Sequence, residues 1–512
     1  MDVGMNEPLN PGEVSTGVFG VTPDRDVKAS QLCTETFLTL VANQFESDGS
    51  IHASPKIKKF ALRSLVLEVN FLKGQESDVH GADFTAEQFG AALALGKDFD
   101  GSSNIRVMRE ALRNLVDPQT ATRSREGERL LRPFHSEFLW YDARWGNGKY
   151  TTRKVLMRGQ GVTLARLLLS PSEDAPSGVS EMAQRAVSGL KTHLQQPTPL
   201  ALICKSLDDC LEGEVTSPPE LERDEIRAWN VGADWRLSDL AQATSRHIDG
   251  CINQGGASAA SRLWQVRTLL ALDLAIHTLR RSWSFTDTSD DERCLLVAAP
   301  GAERADDKVR LLAERNFSLS RAAISSAIMK EIEKRLGSVL QATTDIDLAE
   351  IVEGILPKRS GRAFLARVKK GEFNAEEPDL KVLAQLLYEN VEGYGRAVGG
   401  VRTLFESIGI LHGGNRFTYA SLTADVLAAM VGALSREMPM TSERFFERVM
   451  EEWSLVVSPL AADGTWIGEL LDGEDLSINA KRFERRLIEA GLASNLSDRT
   501  VLVGETAGRR LT

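Results

Sequence analysis

Arg144, Trp145, Lys149, Tyr150, Arg153, Lys154 and Arg158 bring together, in one short stretch, the residue types that hold nucleic acid. Guanidinium and ammonium groups neutralise phosphates, and aromatic rings offer faces on which bases stack. Between Phe134 and Arg158 only Glu137 and Asp142 oppose that charge, in a chain of 512 residues with a net charge of −11. The whole-molecule field therefore works against non-specific binding to nucleic acid, and any such contact has to be a local patch. Gly146-Asn147-Gly148 supplies the positive backbone angles of a tight turn. The stretch thus reads as two strands running from Phe134 and ending near Arg158.

The elements that would position this hairpin lie upstream. Thr85-Ala86-Glu87-Gln88 has capping-box spacing and predicts a helix over 86–95. A second helix is expected over 103–115, with Ile105, Met108, Leu112 and Leu115 on one face and Arg106, Arg109 and Arg113 mainly on others. Helix, helix, hairpin is the order of a winged-helix module, here 84–160. In that arrangement the second helix enters the major groove and the basic wing touches phosphates. The competing structural reading is a solvated hairpin whose cations pair with neighbouring acids.

A second cationic set, Lys481, Arg482, Arg485 and Arg486, lies on a helix expected from Ser477 to Gly491, with Phe483, Leu487 and Ile488 inward. A short strand, a turn at Ser497-Asp498 and the strand 500–503 follow. This too has the form of the second half of a winged helix, or else of a small capping or partner-docking unit.

Catalytic patterns are weaker. His135, Glu137 and Asp142 fall close together on the expected strand, but without the Glu-x-Lys of a restriction-type nuclease core. His412, beside the turn at Gly413-Gly414-Asn415, reads as structural. Gly146-Asn147-Gly148-Lys149-Tyr150-Thr151 fails as a phosphate loop, because Tyr150 stands where the Mg²⁺-binding hydroxyl belongs. Gly393-Tyr394-Gly395-Arg396-Ala397-Val398-Gly399-Gly400 is no GxGxxG and has no βαβ setting. Cys204 and Cys210 are too far apart for a zinc pair. No catalytic residue, metal site or cofactor is assigned, and an enzyme with a non-local site stays open as an alternative.

The remaining chain reads as mainly α. Residues 1–28, rich in Gly, Pro and acid, read as a flexible tail. Residues 29–171 form an N-terminal α+β domain that contains 84–160. Residues 178–400 form a helical scaffold whose longest periodic helix covers 259–283, and Gly393–Gly400 is a turn before a helix at 401–408. Residues 401–512 form a C-terminal helical and winged-helix-like region. Five scattered cysteines suit a reducing cytoplasm. The N-terminus lacks a secretory pattern, and no apolar run reaches a membrane span. The expectation is a multi-domain, mainly α protein with small winged-helix-like modules near both ends. The protein would be a non-enzymatic, nucleic-acid-associated, cytoplasmic subunit of a DNA-processing or phage-defence/restriction-type complex of prokaryotic type. Its partners would be DNA or RNA through the basic patches and other protein subunits, with no membrane. The alternative is a protein–protein scaffold without nucleic-acid contact.

Overall fold

The computed structural model describes residues 9–21, 23–42, 115, 132–139, 143–146, 149–152, 159–169, 178–199, 201–202, 235–253, 257–285, 296–299, 307–342, 380–391, 393–413, 418–435, 438–497 and 500–504. Its helices begin with α1 (Pro11–Phe19), α2 (Ala29–Ala42), α3 (Gln160–Leu169), α4 (Val179–Leu194) and α5 (Ser238–Ile252). They continue with α6 (Ala259–Ser284), α7 (Lys308–Ala342), α8 (Leu380–Asn390), α9 (Arg396–Ile408) and α10 (Ala424–Leu434). The last are α11 (Ser442–Trp453), α12 (Pro459–Ala462), α13 (Trp466–Leu470) and α14 (Gly473–Glu489). The strands are β1 (Ala143–Gly146), β2 (Lys149–Thr152), β3 (Leu296–Val297), β4 (Leu411–His412), β5 (Tyr419–Ala420), β6 (Met440–Thr441), β7 (Leu455–Val456), β8 (Ala493–Ser497) and β9 (Thr500–Val503). The fold is mainly helical with a few small sheets, as the composition implied. Among the described residues no helix is long and apolar enough to cross a membrane.

The chain divides into two compact units. The first holds Met1–Asp26, Leu272–Leu427 and Pro439–Thr512; the second holds Val27–Ala271 and Ala428–Met438. The divisions at 271/272 and 427/428 fall inside α6 and α10.

In the second unit, α2 packs on α3, α3 on α4, and α4 on α5. Leu32, Phe37, Leu164, Leu168, Ala186, Leu190 and Ile248 are buried along these seams. The α2–α3 seam also has a polar fastening. Glu35 accepts hydrogen bonds from the backbone N–H of Gly159 at 3.0 Å and of Gly161 at 2.8 Å, so it caps the start of α3 from another helix. A Cβ on Gly161 would lie 2.6 Å from the Glu35 Cβ and 2.7 Å from the Leu32 carbonyl oxygen, so only glycine lets α3 sit this close. Burial raises the Glu35 carboxyl from 4.5 to about 7, against the two backbone donors that favour its charged form.

In the first unit, α7 packs on α1, α8, α9, α14, β3 and β5. β3 pairs in parallel with β7, and Ala298 bridges in parallel to Ala420, so the β4–β5 hairpin extends that pair. Val297, Val309, Ala313, Val456, Ile467 and Leu476 belong to one buried cluster there. The stretch expected as a flexible tail contains α1, capped by Asn10 and buried through Val14, Val18 and Phe19. Tyr394 fastens it by donating to the Leu9 carbonyl. A loop rich in Gly and Pro hides this helix from compositional reading, because Pro11 sits at the first helical position, where it is tolerated.

Two further expectations change. The glycines read as a turn at 393–400 lie partly within α9. A Cβ on Gly400 would meet the Asp24 backbone nitrogen at 2.9 Å, so Gly400 is there for close chain approach and leaves no room for a phosphate. The longest helix is α7, 35 residues, and not the one at 259–283.

Candidate nucleic-acid interface

A hairpin stands at the expected place, with Gly146 in its first strand and not in the turn. Gly146 pairs with Lys149 and Ala143 with Thr152, leaving two residues in the turn. The strands are shorter than expected, however. Ser136–Phe138 is a single 3₁₀ turn, and the first strand starts only at Ala143. His135, expected on that strand, is buried. Its Nδ1 accepts from the Glu137 N–H at 2.9 Å and so caps the turn. The face shared by His135 and Glu137 in a strand reading therefore does not form. The backbone of Arg144, Trp145, Lys149 and Tyr150 lies in the hairpin. Arg106, Arg109, Arg113, Arg153, Lys154 and Arg158 lie outside the described residues, as do the expected helices over 86–95 and 103–115 (Leu115 apart) and the Cys204/Cys210 pair.

The C-terminal set is described in full. In chain order the elements are α10, β6, α11, the excursion β7–α12–α13, then α14, β8 and β9. The sheet order is β6-β9-β8, all antiparallel: Met440 faces Val503, and Ala493 faces Val503 on its other side. The strand ahead of α11 thus pairs with the last strand of the hairpin that follows α14.

α14 begins earlier than its apolar periodicity suggests. Asp472 is the N-cap, accepting from the Asp475 N–H at 2.8 Å, while Ser477 lies one turn inside. That hydrogen bond, with help from Lys308, holds the Asp472 carboxyl below its ordinary range. Asp475 and Asp472 together raise the Lys308 ammonium, at 3.0 and 3.4 Å. Leu476, Asn479, Phe483 and Leu487 are the buried stripe. Asn479 donates to the carbonyls of Ala298 at 3.0 Å and Val457 at 2.9 Å, which fixes α14 against the ends of β3 and β7. Ile488, expected inward, is only half-buried.

The four cations of α14 separate into two pairs. Arg482 binds Asp307 at 2.6 Å. Asp307 in turn caps α7 through the N–H groups of Val309 and Arg310. Arg486 donates to the Leu422 carbonyl at 2.9 Å and to Ser421 Oγ at 3.3 Å, with its guanidinium 5.6 Å from the centre of the Phe483 ring. Arg486 is half-buried in these contacts, whereas Arg482 stays exposed with its charge met by Asp307, so the four cations are not one uniform basic face. Lys481 and Arg485 are exposed and make no ion pair among the described residues. They share the outer stripe with Ile478, 44% exposed. On α11, by contrast, Arg444 and Arg448 are answered by Glu447, Glu451 and Glu452. The outward end of β8 adds exposed Asn495, Leu496 and Ser497.

Asn479 and Asp307 were not found from the sequence, since their partners lie far away along it. The signal for Asp307 was available as an Asp immediately before a long periodic helix. The other chemical candidates have structural roles. His412 faces Tyr419 across β4–β5, with ring centres 6.2 Å apart. Burial pushes the Cys251 thiol up to about 12, so it is no nucleophile at neutral pH. Among the described residues no group of three His, Cys, Asp or Glu could hold a metal. Comparison with protein-family models, with curated proteins and with solved structures finds no match.

Proposed function

We propose that this chain is a nucleic-acid-binding subunit whose C-terminal part works as a winged helix on duplex DNA. In this reading α11 and α14 are its helices within the first unit, α14 is the recognition helix and β8–β9 is the wing. The observation that carries the proposal is the strand order β6-β9-β8, in which a strand lying between helices pairs with the second strand of the terminal hairpin. That order is harder to reach by chance than the bare succession of helices and strands. Lys481 and Arg485, exposed and unanswered by acid, are the two cations of α14 that can meet phosphate or a guanine edge. The hairpin β1–β2, with Arg144 and Lys149 on its strands, supplies a second contact, to which Arg153, Lys154 and Arg158 further along the sequence would add. The helical remainder acts as a scaffold for other subunits of a DNA-processing or defence assembly.

The test is fluorescence anisotropy of the full chain with duplex DNA, single-stranded DNA and RNA at about 50 and about 200 mM salt, where phosphate contacts weaken steeply through counterion release. Lys481→Glu/Arg485→Glu is expected to abolish salt-sensitive duplex binding, and Lys149→Glu/Arg153→Glu/Lys154→Glu to weaken it. Wild-type protein that binds none of the three at low salt ends the proposal. A second reading, a protein-docking face, is favoured by the exposed Ile478 and Leu496 (44% and 57%) and by the internal use of Arg482 and Arg486. It predicts partner binding that changes little with salt.

A further inference from the structure

The segment that enters the hairpin carries a side-chain cluster distinct from the residues used so far, and it lies wholly within the second unit. Trp264 on α6 is half-buried, and the Phe134 ring meets it edge-on with centres 6.0 Å apart. Two guanidinium groups lie over the same indole: Arg267 with its Cζ 4.1 Å from the ring centre and Arg132 at 5.1 Å. Arg267 is 2% exposed, and its Nε donates to Ser30 Oγ on α2 at 2.7 Å. The backbone N–H of Arg132 donates to the Leu115 carbonyl at 2.7 Å, which fixes the chain there.

Among the described residues the side chain of Arg132 makes no hydrogen bond or ion pair, and its Nε is a buried donor without an acceptor. A guanidinium carries its five donors in one plane, as a rigid fork. Trp264 thus lies under a guanidinium that no acid answers among the described residues. A guanidinium fork with a desolvated donor suits an oxyanion with more than one acceptor oxygen. From this geometry we infer that Arg132, with Trp264 as its platform, forms a phosphate-binding site. The group it holds is a tetrahedral phosphate, either from a nucleic-acid backbone or free in solution. This inference uses none of the α14 residues, so it survives if the C-terminal reading fails.

Inorganic phosphate is titrated into the full-length protein at constant ionic strength, with chloride as the control, and followed by tryptophan fluorescence and by calorimetry. In parallel, anisotropy with a DNA duplex lacking terminal phosphates is measured against salt. Three proteins are compared: wild type, Arg132→Gln and Trp264→Phe. Phosphate heat in wild type that is lost in Arg132→Gln supports the site with free phosphate as its ligand. The fluorescence change should then vanish in Trp264→Phe while some heat remains, which localises the site even if Arg132→Gln folds poorly. A salt slope that flattens by about one unit in Arg132→Gln, without phosphate heat in wild type, supports it with the nucleic-acid backbone as ligand. The inference is overturned if Arg132→Gln binds phosphate as wild type does. It is equally overturned if wild type gives neither phosphate heat nor a slope that depends on Arg132.

Discussion

Two seams in this molecule are fastened by a polar side chain reaching the backbone of another element, and they do so with opposite chemistry. In the second unit, the Glu35 carboxylate accepts two N–H groups at the start of α3. In the first, the Asn479 amide donates to two carbonyls at the ends of β3 and β7. Each answers backbone groups that would otherwise be buried unsatisfied. The difference is charge. Asn479 is neutral at every pH and its seam is held mainly by the apolar stripe around it. Glu35 must either carry its charge into a buried place or take up a proton. One seam is therefore indifferent to pH and the other is tuned by it.

The largest effect expected concerns the apolar stripe. Phe483 is fully buried in the middle of α14. Phe483→Ala should cost about 3–5 kcal/mol, the range for removing a buried phenyl group. Denaturant titration followed by circular dichroism measures it. A loss below about 1 kcal/mol would show that the α14 seam is not apolar in its energetics, and the contrast with Glu35 would fail.

Next comes Glu35. Its carboxyl sits at about 7 in the fold against 4.5 ordinarily, so the folded chain holds the extra proton between those values. Its contribution to stability is full below about 4.5 and is lost as pH rises through about 7, by about 3 kcal/mol in all. Wild type minus Glu35→Gln, melted at intervals from pH 4.5 to 8, should show stability falling across that window, with the slope absent from the variant. A difference that stays flat would mean that the two backbone donors outweigh burial. The same scan on Asn479 variants should show no difference in slope.

How much of this was legible in the sequence depends on how local each cause is. The hairpin turn and the strand 500–503 were readable, because Asn-Gly and a short run rich in β-branched residues act over a few positions. α14 was found, but its start was misplaced by one turn. Asp472 caps it before any apolar residue marks the face. Arg482 and Arg486 looked like surface cations, since Asp307 is 175 residues from Arg482 and Leu422 is 64 from Arg486. Nothing local distinguishes them from Lys481 and Arg485. The same holds for Gly400, whose neighbour is the backbone near Asp24, and for Glu35, whose donors lie 124 and 126 residues away. Helix type is written in short-range periodicity, whereas the choice between a packing cation and a free one is made by tertiary structure.

A smaller effect is expected for Asn479→Ala, about 1–3 kcal/mol, the cost of leaving buried carbonyls without donors. It should be independent of pH from 5 to 8, and thermal melts at both ends of that range check this. A loss that grows toward either end would mean that a titrating neighbour shares the seam, and the neutral side of the contrast would need revision.

The smallest effects separate the cations of α14 from one another. Arg482→Ala removes a half-exposed ion pair and should cost about 0.2–1 kcal/mol, because solvent screens it and Asp307 keeps its two backbone donors. Lys481→Ala and Arg485→Ala remove exposed side chains with no ion pair among the described residues, so each should change stability by less than about 0.5 kcal/mol. If the proposed interface is right, the ranking inverts for DNA. Lys481→Ala and Arg485→Ala should each flatten the salt slope by about one unit, and Arg482→Ala by less, because its charge is already met by Asp307. Equal slopes for all three would mean that Asp307 releases Arg482 on binding, and a fixed division of the helix into packing and contact cations would no longer stand.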